Sequence, residues 1–307
     1  MRNAFADELT ALARNDQRIV LLSGDIGNRL FDAFKRVDKE RFYNCGVAEA
    51  NMIGVAAGMA LSGLRPVTYT ITPFTTTRCF EQIRVDVCYH HAPVIIVGTG
   101  SGLSYAELGP THHSLEDLAI FRTLPGMCVL APCDSHELRA LLQAALQQDR
   151  PVYIRIGKKG EPAIYTQPPT LKIGKVNTLR EGREVALLGT GTIMSEVIKA
   201  ADLLHAQGIS SEVVSFHTIK PLDTEFLQDA VARFKLLVVA EEHGLIGGLG
   251  SAIAEWKVKH NITCTQLNFG TPDEFMHEVG SQGYARKKYG LTGENIASSI
   301  IKQLRKP

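Results

Sequence analysis

One acid in this chain stands out for the chemistry it could do. Glu49 lies in Asn44-Cys45-Gly46-Val47-Ala48-Glu49-Ala50-Asn51, and the stretch that follows, Met52 to Leu61, carries no charge. Gly54, Ala56, Ala57, Gly58 and Ala60 keep that stretch small, so another backbone or a flat ligand can approach closely. A carboxylate at the mouth of such a helix loses water, which favours its protonated form. A carboxyl group that can hold or share a proton near neutral pH is a tool for acid–base chemistry. The same residue also suits a plainer role, an acid favoured at a helix N-terminus by the macrodipole.

Three further groups carry chemical potential, each with an ordinary alternative. Gly109-Pro110-Thr111-His112-His113-Ser114 presents two histidines on a rigid turn before a helix, with Thr111 or Ser114 as its cap. A histidine there could carry a proton or bond a substrate oxygen; it could equally be a surface residue beside a cap. Phe74, in Phe74-Thr75-Thr76-Thr77-Arg78, could stack on a heteroaromatic ring or fill a core. Arg155 at a strand end and Arg2 could clamp a phosphate or be plain surface charges. The glycine-rich stretches are weaker. Gly98-Thr99-Gly100-Ser101-Gly102 lacks the helix and the distant acid of a dinucleotide fingerprint, and Gly189-Thr190-Gly191-Thr192 reads as a tight β-to-α turn.

These residues need a scaffold, and the pattern supplies one. Apolar runs at 18–22, 67–71, 94–97, 129–131 and 152–156 alternate with helical patterns at 3–14, 49–62, 78–90, 114–123 and 135–147. Continuous apolar strands between helices predict a mostly parallel sheet covered on both faces. Turn formers punctuate 157–170, with Gly157, Gly160, Pro162, Pro168 and Pro169. The alternation then restarts: strands at 185–188, 211–216, 236–240 and 264–269, helices at 195–207, 224–233, 249–260 and 295–304. The expectation is an α/β chain of two doubly wound domains, 1–160 and 175–307, joined by a linker over 161–174.

Composition narrows the function classes. The chain has 307 residues, enough for two domains with their own cores, and its 45% hydrophobic and 21% charged residues fit a globular protein. A net charge of +1 argues against nucleic acid or a membrane surface as a partner held by bulk charge. No apolar run is long enough to span a membrane, and the first residues lack the apolar core of a signal peptide. The six cysteines show no metal-ligand spacing and read as reduced thiols of a cytoplasmic protein.

The order of the motifs says more than any one of them. GVAEAN, FTTTRCFEQIR, GPTHHSLEDLAIFRTLPGM, VLAPCDSHE, VYIRIG and FHTIKPLD, in that sequence, resemble the C-terminal half of a transketolase, above all the split transketolases, and more distantly 1-deoxyxylulose-5-phosphate synthase. The resemblance covers nearly the whole chain and implies a pyrimidine-binding domain followed by a transketolase C-terminal domain. It implies thiamine diphosphate as cofactor. Glu49 would bond N1′ of the aminopyrimidine, Phe74 would stack on that ring, and Ile71 and Thr77 would line the pocket. Asp25 would stand near the cofactor and the subunit contact. His112 would contact donor oxygens, and Arg155 and Arg2 would hold a sugar phosphate.

The resemblance also implies what this chain leaves to another. The family binds the diphosphate and its metal, Mg2+ or Ca2+, on a domain marked by a GDG…N motif. Gly24-Asp25-Ile26-Gly27-Asn28 is not that motif. A second subunit carrying the diphosphate-binding domain, in an α2β2 assembly, is therefore expected, with activity only in the pair. Two positions depart from the family. Leu108 stands where transketolases carry an Asp that recognises a sugar hydroxyl, and Gly100 where a phosphate-binding histidine is common. A site that loses a charged acceptor cannot favour the same hydroxyl in the same way, so a modified, deoxy or nucleotide-linked sugar is expected. Two rivals are a beta subunit of a 2-oxo acid dehydrogenase and a non-catalytic subunit that keeps the fold; retention of Glu49, Phe74 and His112 speaks against the latter.

Overall fold

In this computed structural model, residues 1–27 and 29–306 are described. The first half supplies strands β1 (Ile19–Ser23), β2 (Phe42–Asn44), β3 (Arg65–Ile71), β4 (Ile95–Thr99), β5 (Cys128–Leu130) and β6 (Val152–Ile156). The second half supplies β7 (Asn177–Arg180), β8 (Val185–Thr190), β9 (Ser211–Ser215), β10 (Thr218–Lys220), β11 (Leu236–Gly244) and β12 (Thr265–Thr271). They form a seven-stranded sheet, β10-β5-β6-β4-β3-β1-β2, and a five-stranded sheet, β12-β11-β8-β9-β7. Among these strands every pairing is parallel except β10 with β5 and β7 with β9, each at a sheet edge.

The helices, in chain order, are α1 (Arg2–Asn15), α2 (Asp32–Val37), α3 (Glu49–Leu61), α4 (Thr72–Thr75), α5 (Phe80–Gln82), α6 (Asp117–Thr123), α7 (Ser135–Leu146), α8 (Met194–His205), α9 (Thr224–Arg233), α10 (Leu249–Lys259), α11 (Gln282–Lys288) and α12 (Gly293–Leu304). A strand's side chains alternate between its faces, and both faces are covered here. In β1, Ile19 and Leu21 join an apolar cluster with residues of α1 and α7, while Val20 and Leu22 join one with residues of α3. In β8, Ala186 and Leu188 enter the same cluster as Val20 and Leu22, while Val185 and Leu187 turn to one with residues of α8 and α12. One apolar layer is thus shared by the two sheets, and the chain folds as two α/β units clamped face against face.

Three features differ from the sequence reading. The helix expected over 78–90 is a short α5 followed by a π-wound segment, Ile83–Tyr89, a winding that accommodates an extra residue per turn. The helix expected from 114 begins at Asp117, because Ser114 is held in an antiparallel bridge to Gly102. Neither Thr111 nor Ser114 caps it: the N-cap is Glu116, without a side-chain cap bond, and Thr111 Oγ1 lies 2.9 Å from His112 Nδ1. Finally, the two units are stitched together. Strand β10 belongs to the second half of the chain but pairs with β5 in the first sheet, with the Ala131 amide donating to the His217 carbonyl at 2.8 Å.

Candidate active site

Parallel strands end at one edge of the first sheet, where polar backbone and loop residues collect. Gly24 and Asp25 follow β1, Phe74 follows β3, Gly100 follows β4, and α3 opens just beyond β2. Glu49, the first residue of α3, is only 2% exposed. Gly24 packs on it: a Cβ there would stand 3.3 Å from Glu49 Cγ and 3.0 Å from Thr70 Oγ1. The Arg78 Nη1 group lies 2.8 Å from Glu49 Oε2, and the same guanidinium sits over the Phe74 ring, 4.4 Å from its centroid. The Arg78 side chain is 46% exposed, so this cation reaches a buried acid from the solvent side. The hydroxyls of Thr70 and Thr75 are buried without a hydrogen-bond partner among the described residues. Burial, and secondly the Glu49 charge, push the neighbouring Cys79 thiol up to about 12, which keeps it protonated.

The His112 ring also approaches Phe74, with centroids 5.3 Å apart and an edge-on angle of 65°. Partial burial lowers its pKa, so the imidazole is neutral at neutral pH and can donate from one nitrogen and accept at the other. Tyr105 approaches it at 6.0 Å, and Lys158 Nζ lies over the Tyr105 ring at 4.8 Å while pairing with Glu107. Burial raises the Tyr105 pKa, and the charges of Lys158 and Arg2 pull it back, which puts Arg2 in the same neighbourhood. The Arg2 Nε is buried with no hydrogen-bond partner among the described residues.

The other expected site residues occupy varied positions. Asp25 is exposed on the rim in a left-handed conformation (φ 57°), rare for a non-glycine residue, and accepts from Asn44 Nδ2 at 3.0 Å. Asn28 lies outside the described residues. Ile71 ends β3, half-buried, and Thr77 is exposed with its hydroxyl bonded to the Pro73 carbonyl at 2.8 Å. Leu108 is 48% exposed at the end of a short turn, Ala106–Leu108. Gly100 has φ 82°, and a Cβ there would fall within the Tyr105 ring, so the place of a side chain at this position is taken by tyrosine.

Arg155 is a correction. It is 4% exposed, its Nη2 donates to the carbonyls of Ser114 (3.2 Å) and Glu242 (3.1 Å), and its Nε lies 3.2 Å from Asp117 Oδ2. A guanidinium spent on the seam between the units does not reach out to a sugar phosphate. Three residues of the site were not picked out from sequence: Arg78, Tyr105 and Lys158. Arg78 stands on the turn between α4 and α5, and its approach to Phe74 and Glu49 follows from that turn, which no helical spacing announces. Tyr105 and Lys158 lie in loops, and no local pattern brings them together.

The descriptions "Transketolase, pyrimidine binding domain" and "Transketolase, C-terminal domain" name the family models that match residues 1–161 and 174–296. The 6-deoxy-6-sulfo-D-fructose transketolase subunit SqwH of a Clostridium species is 39% identical over 96% of this chain and 92% of its own length. An apulose-4-phosphate transketolase subunit of Phocaeicola vulgatus is 32% identical over 99% of this chain and 97% of its own. A solved split-gene transketolase, described as an inactive beta4 tetramer, superposes with a TM-score of 0.89 at 33% identity, over 98% of this chain and 96% of that one.

Proposed function

The chain belongs to the transketolase family, and from that premise we propose that it is the pyrimidine-binding and C-terminal subunit of a two-chain, thiamine-diphosphate-dependent enzyme. The reaction is transfer of a two-carbon ketol unit from a ketose to an aldehyde. The observation that carries it is Glu49: a carboxylate 2% exposed at a helix mouth, sharing Arg78 with an aromatic face, at an edge where the hydroxyls of Thr70 and Thr75 have no partner among the described residues. That set fits an aminopyrimidine, which needs an acid for its ring nitrogen, a flat wall and polar groups in reach.

When bound, the cofactor supplies a thiazolium carbon that serves as nucleophile and electron sink. The residues of this chain bind and orient it. Glu49 bonds N1′ and shares the proton there, and Phe74 supports the ring. Ile71, Thr77 and Asp25 form the rim of that pocket, and Gly24 lets the acid and Thr70 come together. His112, neutral, holds a donor oxygen; Arg2 with Lys158 receives the anionic end of the sugar. A partner subunit holds the diphosphate and the Mg2+ or Ca2+, in an α2β2 assembly, so this chain alone is inactive. The six free thiols suit the reducing cytoplasm.

Two of the relatives above are named for 6-deoxy-6-sulfo-D-fructose and for apulose 4-phosphate, which supports a modified sugar as substrate here. The exposed Leu108 supports the same reading, since it offers an apolar wall where an acid would bond a hydroxyl. The test is reconstitution with the partner chain. Glu49→Gln should lower ketol transfer by at least about 100-fold, the usual worth of acid–base assistance, with the thermal midpoint nearly unchanged. An unchanged rate would remove Glu49 from the chemistry, and full turnover by the single chain would sink the two-chain reading. Decarboxylation with acyl transfer, in place of ketol transfer, would favour a 2-oxo acid dehydrogenase subunit.

A further inference from the structure

We infer that Arg78 is a displaceable plug: its guanidinium fills the aminopyrimidine position before the cofactor arrives, and loading requires it to swing out. The inference rests on the reading of Glu49 and Phe74 given above. Burying a carboxylate without a partner is costly, and removing one member of a buried pair leaves that cost exposed. Among the described residues, Arg78 is the sole hydrogen-bonding or ion-pair partner of the Glu49 side chain. It makes two contacts at once, 2.8 Å to Glu49 Oε2 and 4.4 Å to the Phe74 centroid. Those are the two contacts a stacked, hydrogen-bonding heteroaromatic ring would make. A guanidinium can stand in for such a ring because it too is planar, donates N–H bonds and stacks on aromatic faces.

The plug is also built to leave. Arg78 lies on the turn between α4 and α5 with its side chain 46% exposed, and no other hydrogen-bond or ion-pair partner among the described residues holds that side chain. Release costs the pair, and the arriving ring restores both contacts. Apparent affinity is then the intrinsic affinity reduced by the unplugged fraction of the free protein. The device keeps the free subunit's acid satisfied and makes cofactor capture a competition between a tethered cation and the ring.

The test is a calorimetric titration of the assembled two-chain protein with thiamine diphosphate and Mg2+. Arg78→Ala should tighten binding about fivefold, since it removes the competitor and leaves the acid unpaired in the free state; unchanged or weaker binding overturns the plug. A second readout needs no cofactor. In a double-mutant cycle on the thermal stability of the isolated full chain, Glu49→Gln and Arg78→Ala should be coupled. The same cycle on the cofactor-loaded assembly should show the coupling lost. Zero coupling in the free chain, or coupling that persists when loaded, overturns the inference. Phe74→Ala separates this from failure of the underlying reading: it should weaken cofactor binding whatever Arg78 does. If Phe74→Ala and Glu49→Gln both leave binding unchanged, the cofactor reading itself fails and the plug falls with it.

Discussion

At the C-terminal edge of the first sheet, Glu49 has one half-exposed partner among the described residues, and the hydroxyls of Thr70 and Thr75 have none. At the same edge of the second sheet, the end of β11 has its acids spent. Glu241 accepts the amides of Leu249 and Gly250 at the start of α10, at 2.8 and 2.9 Å. Glu242 takes Gln282, Arg286, Thr192 and the Leu103 amide. His243 Nε2 accepts the Ala119 amide, and the Gly244 amide donates to the Leu115 carbonyl at 2.8 Å. The two sheets gather strand ends in the same way, but the second sheet's edge is filled by the loops and α6 of the first unit. A strand-end edge becomes a site only where its polar groups are not consumed by the protein itself.

Breaking the closed edge should therefore cost stability, where breaking the open one costs chemistry. Glu242 is 3% exposed and anchors Arg286, itself 12% exposed, and it also holds the Leu103 amide across the seam at 3.2 Å. Glu242→Ala leaves that guanidinium with only Glu196, 3.7 Å away, as an ion-pair partner among the described residues. The expected loss is about 3–5 kcal/mol of unfolding free energy, the range for a half-removed buried pair. Denaturant unfolding checks this, and turnover per folded molecule in the proposed two-chain enzyme should be retained. A large fall in turnover with stability intact would place the second edge in the chemistry and erase the contrast.

The joint between the units gives a second, somewhat smaller effect that pH reveals. His217 is fully buried just before β10, and its pKa is pushed down to about 4 by burial, with Asp223 opposing. Above about pH 6.5 both the folded and unfolded forms carry a neutral ring, and nothing is lost. As pH falls from 6.5 towards 4, the unfolded chain takes up the proton first, so the folded state loses stability, by about 3 kcal/mol over the window. His217→Asn should flatten that part of the stability–pH curve. An unchanged slope would assign the acid sensitivity to other groups.

Much of this architecture was legible because burial on both faces writes long apolar runs. β1, β4 and β8 announce themselves in this way, and an uncharged helix after Glu49 announces an acid in a dry place. What escaped depends on distant contacts. Three-residue strands such as β2 and β10 carry no periodicity, and β10 exists as a strand only because β5 offers it an edge. Ser114 fits a helix start by type, but its bridge to Gly102 holds it outside the helix. Arg155 has the residue type for anion binding, yet its position on β6 points its guanidinium into the seam, where Asp117 and two carbonyls take it. The reverse happened at Gly100, where sequence registers only a missing side chain and the fold fills the space with Tyr105.

The smallest expected effect bears on selectivity, and it sharpens what the open edge is open for. Leu108 is 48% exposed and is followed by Gly109 at φ 76°, which turns the chain away, so its side chain supports no core. Leu108→Asp should therefore leave the thermal midpoint in place. It restores a charged acceptor where the family carries one, and a hydroxyl that finds such a partner gains over an analogue that lacks it. In the proposed two-chain enzyme, the ratio of kcat/KM for a hydroxylated ketose phosphate over a deoxy or sulfonated donor should rise by about tenfold, roughly 1.4 kcal/mol in transition-state terms. The chemistry proposed for Glu49 would be common to both donors, so the gain should appear in the ratio and not in the cofactor's affinity. If the ratio stays fixed, the preference is set by the other departure, the tyrosine ring beside Gly100, whose place against His112 would then govern which donor end is accepted.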